Sequence, residues 1–291
     1  MSLFNYLIFL LPQFIVIYIF NILLKKKIFF FDVVDNPDDF RKQHTKPTSC
    51  VGGIFFLIAV INLLVHDFLN LDFLNNDYEF YLEGSKSKIS FYIIGFSFFL
   101  LGYFDDKLDI RSDIKTILMI LLIYAAQLLD NELIINKFYF SFLNDNIYID
   151  KHLAIFFTTF SIFAFINAIN MYDGKNLQIG IYFLICLIFL ILKFENIFLF
   201  SLFLSLIFFL SQNYNGKIFI GNNGTHFLGY IFAFILIKTY NSDEIFIFAD
   251  EIFILMMLPG IDLVRLFFKR ITTNKNPLVG DMDHIHHILS L

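Results

Sequence analysis

The run LFNYLIFLLPQFIVIYIFNILL, residues 3–24, is followed at once by KKK at residues 25–27. An α-helix of about 20 apolar residues spans the roughly 30 Å of hydrocarbon in a bilayer. The basic residues follow the run instead of preceding it, which reverses the charge order of a signal peptide, and no small-residue cleavage site is present. We therefore predict an uncleaved transmembrane helix whose N-terminus lies outside the cytoplasm.

The rest of the chain shares this apolar character. Hydrophobic residues make up 58% of the 291 residues, and the mean hydropathy of +0.72 is too high for a soluble domain. Nine runs approach the length of a membrane span: 3–24, 51–66, 89–104, 114–130, 152–169, 178–193, 196–211, 225–239 and 245–268. The sequence therefore predicts an all-α fold, a polytopic integral membrane bundle of about 9–10 transmembrane helices, formed by one domain over residues 1–291.

The charge distribution indicates the orientation. Nine crossings that begin outside place five loops in the cytoplasm: 25–50, 105–113, 170–177, 212–224 and 269–291. In or beside these loops lie 15 of the 21 lysine and arginine residues, as the positive-inside rule requires. The net charge of −5 comes without a basic stripe, so we expect no nucleic-acid partner. Cys50 and Cys186 lie far apart in the sequence, which argues against a disulfide or a zinc cluster.

Three polar clusters interrupt the apolar chain at the ends of hydrophobic runs. They read YFDDKLD at residues 103–109, NAINMYDG at 167–174 and HIHH at 284–287. Such side chains are costly near hydrocarbon, so their presence at three segment ends indicates a use. All three fall in loops predicted on one side of the membrane and can therefore build one site. A transporter would place some of them nearer the middle of the membrane, so their positions favour chemistry at the membrane surface.

The residue types in these loops suit phosphate chemistry. Asp105, Asp106 and Asp173 are hard oxygen ligands of the kind Mg²⁺ uses with pyrophosphates. Three amides can donate and accept hydrogen bonds, as recognition of a nucleobase or a sugar requires: Asn167, Asn170 and Asn222. Four basic side chains suit phosphate oxygens: Arg41, Lys42, Lys46 and Lys217. Three histidines could bind phosphate or carry protons: His284, His286 and His287. Each also has a plainer interpretation, as a solvated helix cap, an orienting charge or an exposed terminus.

Two glycine-containing segments on the same side add weaker signals. Gly52 and Gly53 begin one hydrophobic run, and GNNGT at residues 221–225 begins another. Backbone amides at such helix starts can bind an anion, where the helix dipole also favours negative charge. Taken alone, either segment is more typical of a plain turn.

Read together, five motifs resemble the polyprenyl-phosphate N-acetylhexosamine-1-phosphate transferases, bacterial UDP-GlcNAc:undecaprenyl-phosphate GlcNAc-1-phosphate transferases among them. Members carry Arg-Lys-x-His…Pro…Gly-Gly, Asp-Asp-x-x-Asp, Asn-x-x-Asn-x-x-Asp-Gly, Gly-Asp-x-Gly-Ser and His-x-His-His motifs. The similar stretches here occur in the same order, at residues 41–53, 105–109, 167–174, 221–225 and 284–287. The resemblance extends from residue 32 to residue 289.

The resemblance implies an enzyme that transfers N-acetylhexosamine 1-phosphate from a UDP-N-acetylhexosamine to polyprenyl (undecaprenyl) phosphate and releases UMP. It implies a multi-pass protein of the bacterial inner membrane with a cytoplasmic active site, which initiates an O-antigen, capsule or teichoic-acid type of glycan. It implies Mg²⁺ as cofactor, with Mn²⁺ as the alternative, and leaves a homodimer open. Catalytic and metal-binding roles are expected for Asp105, Asp106 and Asp173, with Asn222 as a further metal ligand. Substrate-binding roles are expected for Arg41, Lys42, His44, Thr48, Asn167, Asn170, Asn176, Lys217, His284, His286 and His287.

The chain departs from the family pattern in four places. Asn222 replaces an aspartate that ligates metal in relatives. The family's Asp-Gly-x-Asp-Gly becomes Asp173-Gly174-Lys175-Asn176-Leu177, so Asn176-Leu177 replaces the second Asp-Gly pair. Met282 replaces an arginine before the histidines, and we expect the family's C-terminal helix to be absent from residues 1–291. These departures keep open a second interpretation, a non-catalytic relative that binds nucleotide sugar or lipid. A transporter is the least favoured alternative.

Overall fold

A computed structural model gives the fold, and the structure describes residues 3–26, 33–35, 47–69, 82, 84–194, 196–242 and 247–273. This part of the chain contains nine helices: α1 (Leu3–Lys25), α2 (Gly53–Phe68), α3 (Gly84–Leu108), α4 (Ser112–Leu129), α5 (Lys151–Tyr172), α6 (Gln178–Lys193), α7 (Ile197–Asn213), α8 (Gly221–Asn241) and α9 (Ala249–Thr272). Two antiparallel pairs of very short strands accompany them: β1 (Val34–Asp35) with β2 (Thr48–Ser49), and β3 (Lys137–Phe138) with β4 (Ile147–Tyr148). The predicted all-α helical bundle is confirmed.

Four of these helices are long and apolar enough to cross a membrane: Phe4–Leu24, Gly84–Leu108, Ser112–Leu129 and Lys151–Tyr172. Three more are apolar but shorter: Gly53–Phe68, Gln178–Lys193 and Ile197–Asn213. The protein is therefore a multi-pass membrane protein. The total of about 9–10 crossings stays a prediction.

Several motif residues predicted to lie in loops belong instead to helix ends. Asp105 and Asp106 lie in the last turn of α3, Asn170 lies in the last turn of α5, and residues 221–225 form the first turn of α8. The hydrophobic pattern ends where the polar motif residues begin. The helical hydrogen bonds of the backbone continue past that point, so the polar residues belong to the helix ends. The prediction of loop positions for these residues was therefore wrong by about one helical turn.

Helix α8 is the central element of the bundle. Every residue from Asn223 to Tyr240 is buried, and the helix packs against α2, α3 and α5. Two close approaches at its N-terminal turn depend on glycine. A Cβ at Gly102 of α3 would lie 2.2 Å from the Asn222 carbonyl oxygen, and one at Gly53 of α2 would lie 2.7 Å from the Gly224 Cα atom. The first turn of α8 is thus held against the ends of two other helices.

The opposite end of α8 carries a second buried polar group. Lys238, which is 3% exposed, donates a hydrogen bond of 3.2 Å to Asp130 at the end of α4 and another to Glu132. A buried ammonium requires such pairing, because an unpaired charge there would be strongly destabilising. This ion-paired end and the end that carries the GNNGT motif therefore lie at opposite ends of one helix.

Candidate active site

Asp105 and Asp106 lie at the C-terminal end of α3, where the helix dipole disfavours negative charge. Both carboxylates therefore need hydrogen-bond donors from other elements. A connection of three residues follows, and it begins with Asp109 in the left-handed conformation, at φ 50°. This tight turn returns the chain, so that the first turn of α4 lies beside the two carboxylates.

Asp105 is bound by two side chains from different helices. The Lys115 Nζ of α4 donates a hydrogen bond of 2.8 Å to Asp105 Oδ2. The Asn222 Nδ2 of α8 donates to the same oxygen, also at 2.8 Å. Asp105 is only 5% exposed. The ion pair therefore neutralises a buried carboxylate at the junction of three helices.

Asp106 binds the N-terminus of α8. The Asn222 backbone N–H donates to Asp106 Oδ1 at 3.0 Å, and the Asn223 backbone N–H donates to Oδ2 at 3.1 Å. The Asn223 side-chain Nδ2 adds a third bond of 2.9 Å. Free N–H groups and the positive end of a helix dipole favour an anion at this position. The anion at the start of α8 is thus one of the protein's own carboxylates.

Gly221 makes this contact possible. Its φ of 71° lies in the left-handed region, which glycine adopts without steric cost. A Cβ at this position would lie 2.9 Å from Asp106 Oδ2 and 2.6 Å from the Cys50 carbonyl oxygen. The glycine of the GNNGT segment therefore serves the close approach of the backbone to a carboxylate.

Asp173 follows the last residue of α5, and its N–H closes that helix on Ile169 O at 3.1 Å. Its carboxylate is partly buried, and no hydrogen-bond donor among the described residues reaches it. Burial and the nearby charge of Asp106 raise the pKa of Asp173 to about 7. Burial and the charges of Asp106, Asp35 and Asp173 also raise the pKa of the Cys50 thiol well above its usual range. The two acidic motifs therefore converge in space, as predicted from the sequence.

The two asparagines of the NAINMYDG motif have different surroundings. Asn170 Oδ1 accepts a 2.7 Å hydrogen bond from Thr225 Oγ1, which joins the end of α5 to the first turns of α8. Asn167 Nδ2 donates to Phe163 O, one turn earlier in its own helix, at 2.8 Å. Asn170 thus helps to build the junction, whereas Asn167 contacts only its own helix through this amide.

A second group of predicted residues surrounds Gly216. The Thr48 Oγ1 lies 3.5 Å from Gly216 O, and a Cβ at Gly216 would lie 3.3 Å from the exposed Asn176 Nδ2. Lys217 is the next residue and is exposed. The backbone of this segment pairs with the start of α2, since Gly52 N–H donates to Phe219 O at 2.9 Å. Thr48, Asn176 and Lys217 therefore lie on one side of the same junction.

Seven residues that were predicted to bind substrate or its phosphate oxygens lie outside the described residues: Arg41, Lys42, His44, Lys46, His284, His286 and His287. Their expected roles stay predictions. Asp35, which precedes residues 36–46, pairs in register with Thr48.

The donor set fits a magnesium ion that is held mainly by its phosphate ligands. Within the described ranges, no group of three His, Cys, Asp or Glu side chains converges on one point. Two carboxylates do approach each other, those of Asp106 and Asp173, and their hydrogen-bond donors are uncharged or absent. Mg²⁺ commonly uses one or two carboxylates together with substrate phosphates and water. Asp106 and Asp173 would hold the cation, and the expected role of Asn222 as a further metal ligand stays a prediction.

Three residues of this junction were not predicted from the sequence as site residues: Lys115, Asn213 and Asn223. Asn213 Oδ1 accepts from Leu177 N–H at 2.6 Å, while its Nδ2 donates to Ile218 O at 2.8 Å. It thereby supports Leu177, a non-glycine residue at φ 67°, which begins α6. Lys115 could have been found by the argument that a three-residue turn brings the start of α4 back to Asp105.

Comparison with known proteins gives the same assignment as the motifs. The family described as glycosyl transferase family 4 matches residues 88–240, more than half of the 291-residue chain. Undecaprenyl-phosphate alpha-N-acetylglucosaminyl 1-phosphate transferase of Escherichia coli K12 is 24% identical over 271 residues, 88% of this chain and 69% of the relative. The probable undecaprenyl-phosphate N-acetylglucosaminyl 1-phosphate transferase of Bacillus subtilis 168 is 28% identical over 266 residues, with the same coverage of 88% and 69%. A relative from Thermotoga maritima with the first of these names is 24% identical over 261 residues, 89% of this chain and 73% of the relative.

Proposed function

The chain belongs to glycosyl transferase family 4, and from that premise we propose that it transfers N-acetylhexosamine 1-phosphate from a UDP-N-acetylhexosamine to undecaprenyl phosphate. An oxygen of the lipid phosphate forms a bond to the sugar-side phosphorus of the donor. The bond from that phosphorus to the oxygen bridging the two phosphates breaks, and the bridging oxygen leaves with UMP. The other product is a lipid-linked sugar diphosphate.

The convergence of Asp106 and Asp173 at one end of a membrane bundle carries this proposal. Two anionic phosphates must approach each other in the reaction, so their charge has to be neutralised. A bound Mg²⁺ would supply that neutralisation and would orient the diphosphate. The carboxylates of Asp106 and Asp173 hold the charge that attracts the cation, and the rigid first turn of α8 fixes Asp106 in position.

The surrounding polar residues support recognition of the donor. Thr48 and Asn176 lie next to Gly216, and Lys217 follows it, so this segment carries a hydroxyl, an amide and a positive charge. These groups suit the oxygens and ring edges of a nucleotide sugar. Undecaprenyl phosphate would approach from the lipid, where apolar side chains of the membrane-spanning helices are exposed.

The cellular setting follows from the same proposal. The positive-inside charge distribution supports an active site that faces the cytoplasm, where UDP-sugars are made. The product would begin a cell-envelope glycan of the O-antigen, capsule or teichoic-acid type at the bacterial inner membrane. The N-acetylglucosaminyl 1-phosphate group in the names of the relatives makes UDP-N-acetylglucosamine the first donor to test.

The decisive experiment is a transfer assay with the purified protein in detergent. Labelled UDP-N-acetylglucosamine, undecaprenyl phosphate and Mg²⁺ should give UMP and an acid-labile lipid product. UDP-N-acetylgalactosamine, assayed in parallel, identifies the preferred sugar. The Asp113→Asn variant is the matched control, because it removes an exposed carboxylate from the same region without touching the acidic pair.

A second candidate function is binding of nucleotide sugar or lipid without turnover. Asn222 favours it, because this amide stands where the Gly-Asp-x-Gly-Ser motif that residues 221–225 resemble has an aspartate. Saturable binding of UDP-N-acetylglucosamine without release of UMP would support this alternative and would contradict the transferase.

A further inference from the structure

The side chains of Asp105, Lys115 and Asn222 form a closed group that differs in charge from the neighbouring acidic pair. We infer that Asp105 is not a ligand of the divalent cation but the acceptor of a metal-independent latch that joins the ends of α3, α4 and α8. The Asp105 latch consists of Asp105, Lys115 and Asn222. The inference rests on the proposed function only in placing a cation at Asp106 and Asp173.

The hydrogen bonds of Asp105 are the first evidence for this inference. One oxygen, Oδ2, accepts both the Lys115 ammonium and the Asn222 amide at 2.8 Å. The Asp105 side chain is 3% exposed and that of Lys115 is 20% exposed, so water screens this pair little. A cation bound to Asp105 would have to displace or repel the ammonium that already neutralises it.

Asp106 and Asp173 lack such a partner. The three hydrogen-bond donors to Asp106 among the described residues are uncharged amides, and no donor in this part of the chain reaches the Asp173 carboxylate. The acidic pair therefore has two carboxyl groups with no cationic side chain in contact within the described part of the chain. The single carboxylate of the Asp105 latch is instead neutralised by the Lys115 ammonium. A divalent cation is attracted to the former and not to the latter.

The latch also accounts for the asparagine at position 222. A carboxylate in place of this amide would present a second acceptor to Asp105, and two buried carboxylates in contact repel each other. The amide instead supplies a donor, which turns repulsion into a hydrogen bond of 2.8 Å. Lys115 and Asn222 are thus positioning residues: they fix the end of α3, where the next residue, Asp106, binds the first turn of α8.

An exchange of acid and amide tests the latch. Thermal unfolding in detergent with EDTA is measured for wild type, Asp105→Asn, Asn222→Asp and the double variant Asp105→Asn/Asn222→Asp. Each single variant should lower the unfolding midpoint by about 5 °C or more, because it leaves either an unpaired ammonium or two carboxylates against one ammonium. The double variant should recover most of that loss, since one acid and one amide again face Lys115. Asp113→Asn is the control and should change the midpoint little.

Binding of Mn²⁺, followed by electron paramagnetic resonance, separates the latch from the cation site. Asp105→Asn should leave the Mn²⁺ affinity within about threefold of wild type, whereas Asp173→Asn should lower it by about tenfold or more. Loss of Mn²⁺ binding in Asp105→Asn, or a double variant no more stable than its worse parent, would overturn the inference. If wild type binds no Mn²⁺, the cation of the proposed function fails, and recovery in the EDTA exchange still decides for or against the latch.

Discussion

Among single substitutions, Asp173→Asn removes a negative charge from the site with little disturbance of the hydrogen bonds. No hydrogen-bond donor within the described residues reaches its carboxylate, so Asp173→Asn removes charge without leaving a donor unpaired. We expect normal membrane insertion and a loss of about a hundredfold or more in the rate of UMP release, the scale of one lost electrostatic stabiliser. Asp113→Asn should keep the wild-type rate. Near-normal activity of Asp173→Asn would remove this residue from the cation site.

The same carboxylate predicts a pH dependence. Burial and the charge of Asp106 raise the pKa of Asp173 to about 7, so the group gains a proton as the pH falls through neutrality. A protonated carboxyl binds Mg²⁺ poorly, because proton and cation compete for the same oxygens. The Mg²⁺ concentration for half-maximal activity should therefore rise between pH 8 and pH 6. A flat requirement across this range would contradict the assignment.

His226 is a buried polar residue with no hydrogen-bonding role among the described residues. It is fully buried one turn after Asn222, and neither ring nitrogen has a hydrogen-bond partner in the described part of the chain. A buried unpaired polar group costs about 1–3 kcal/mol. His226→Leu, which has similar volume, should therefore unfold at the same temperature as wild type or higher. Phe227→Leu is the control and should unfold at a lower temperature. A clear fall for His226→Leu would show that the imidazole has a partner.

The contact between helices α3 and α8 depends on the close approach of their backbones. A Cβ at Gly102 would lie 2.2 Å from the Asn222 carbonyl oxygen, whereas one at Gly260 of α9 would meet nothing within 4 Å. Gly102→Ala should therefore separate α3 from α8, lower the unfolding midpoint by several degrees and reduce transfer activity. Gly260→Ala should be neutral or slightly stabilising, because alanine favours a helix by about 1 kcal/mol over glycine. Equal effects of the two substitutions would show that the contact contributes little.

The sequence predicted the helices well because apolar runs of this length have few alternatives in a membrane. The predicted parity of the crossings placed the acidic motifs on one face of the membrane, where they can share a site. The sequence did not predict which carboxylate has which partner. Lys115 follows Asp105 by only ten residues, whereas Asn223 lies 117 residues from Asp106. Only the packing of α4 and α8 against α3 selects Lys115 for Asp105 and the α8 amides for Asp106. Such pairing depends on helix rotation and close approach, which hydrophobic periodicity does not specify.

The helix bundle has two polar ends. Thiols placed at the two ends of α3 can show which of them faces the cytoplasm. α3 carries the exposed Lys86 in its first turn and the exposed Lys107 beside the acidic motif in its last. Lys86→Cys and Lys107→Cys therefore place comparable thiols at the two ends of one membrane-spanning helix. The native Cys50 and Cys186 are buried and should add little background labelling.

In intact cells, a membrane-impermeant maleimide should label Lys86→Cys and should leave Lys107→Cys unmodified until the membrane is permeabilised. The reason is the charge distribution, since 15 of the 21 basic residues lie in or beside the loops predicted on the Lys107 side. External labelling of Lys107→Cys would place the acidic pair outside the cell, away from the nucleotide sugars that the proposed reaction consumes. Labelling of Lys86→Cys alone would place the site where both a cytoplasmic donor and a membrane-embedded lipid phosphate can reach Asp106 and Asp173.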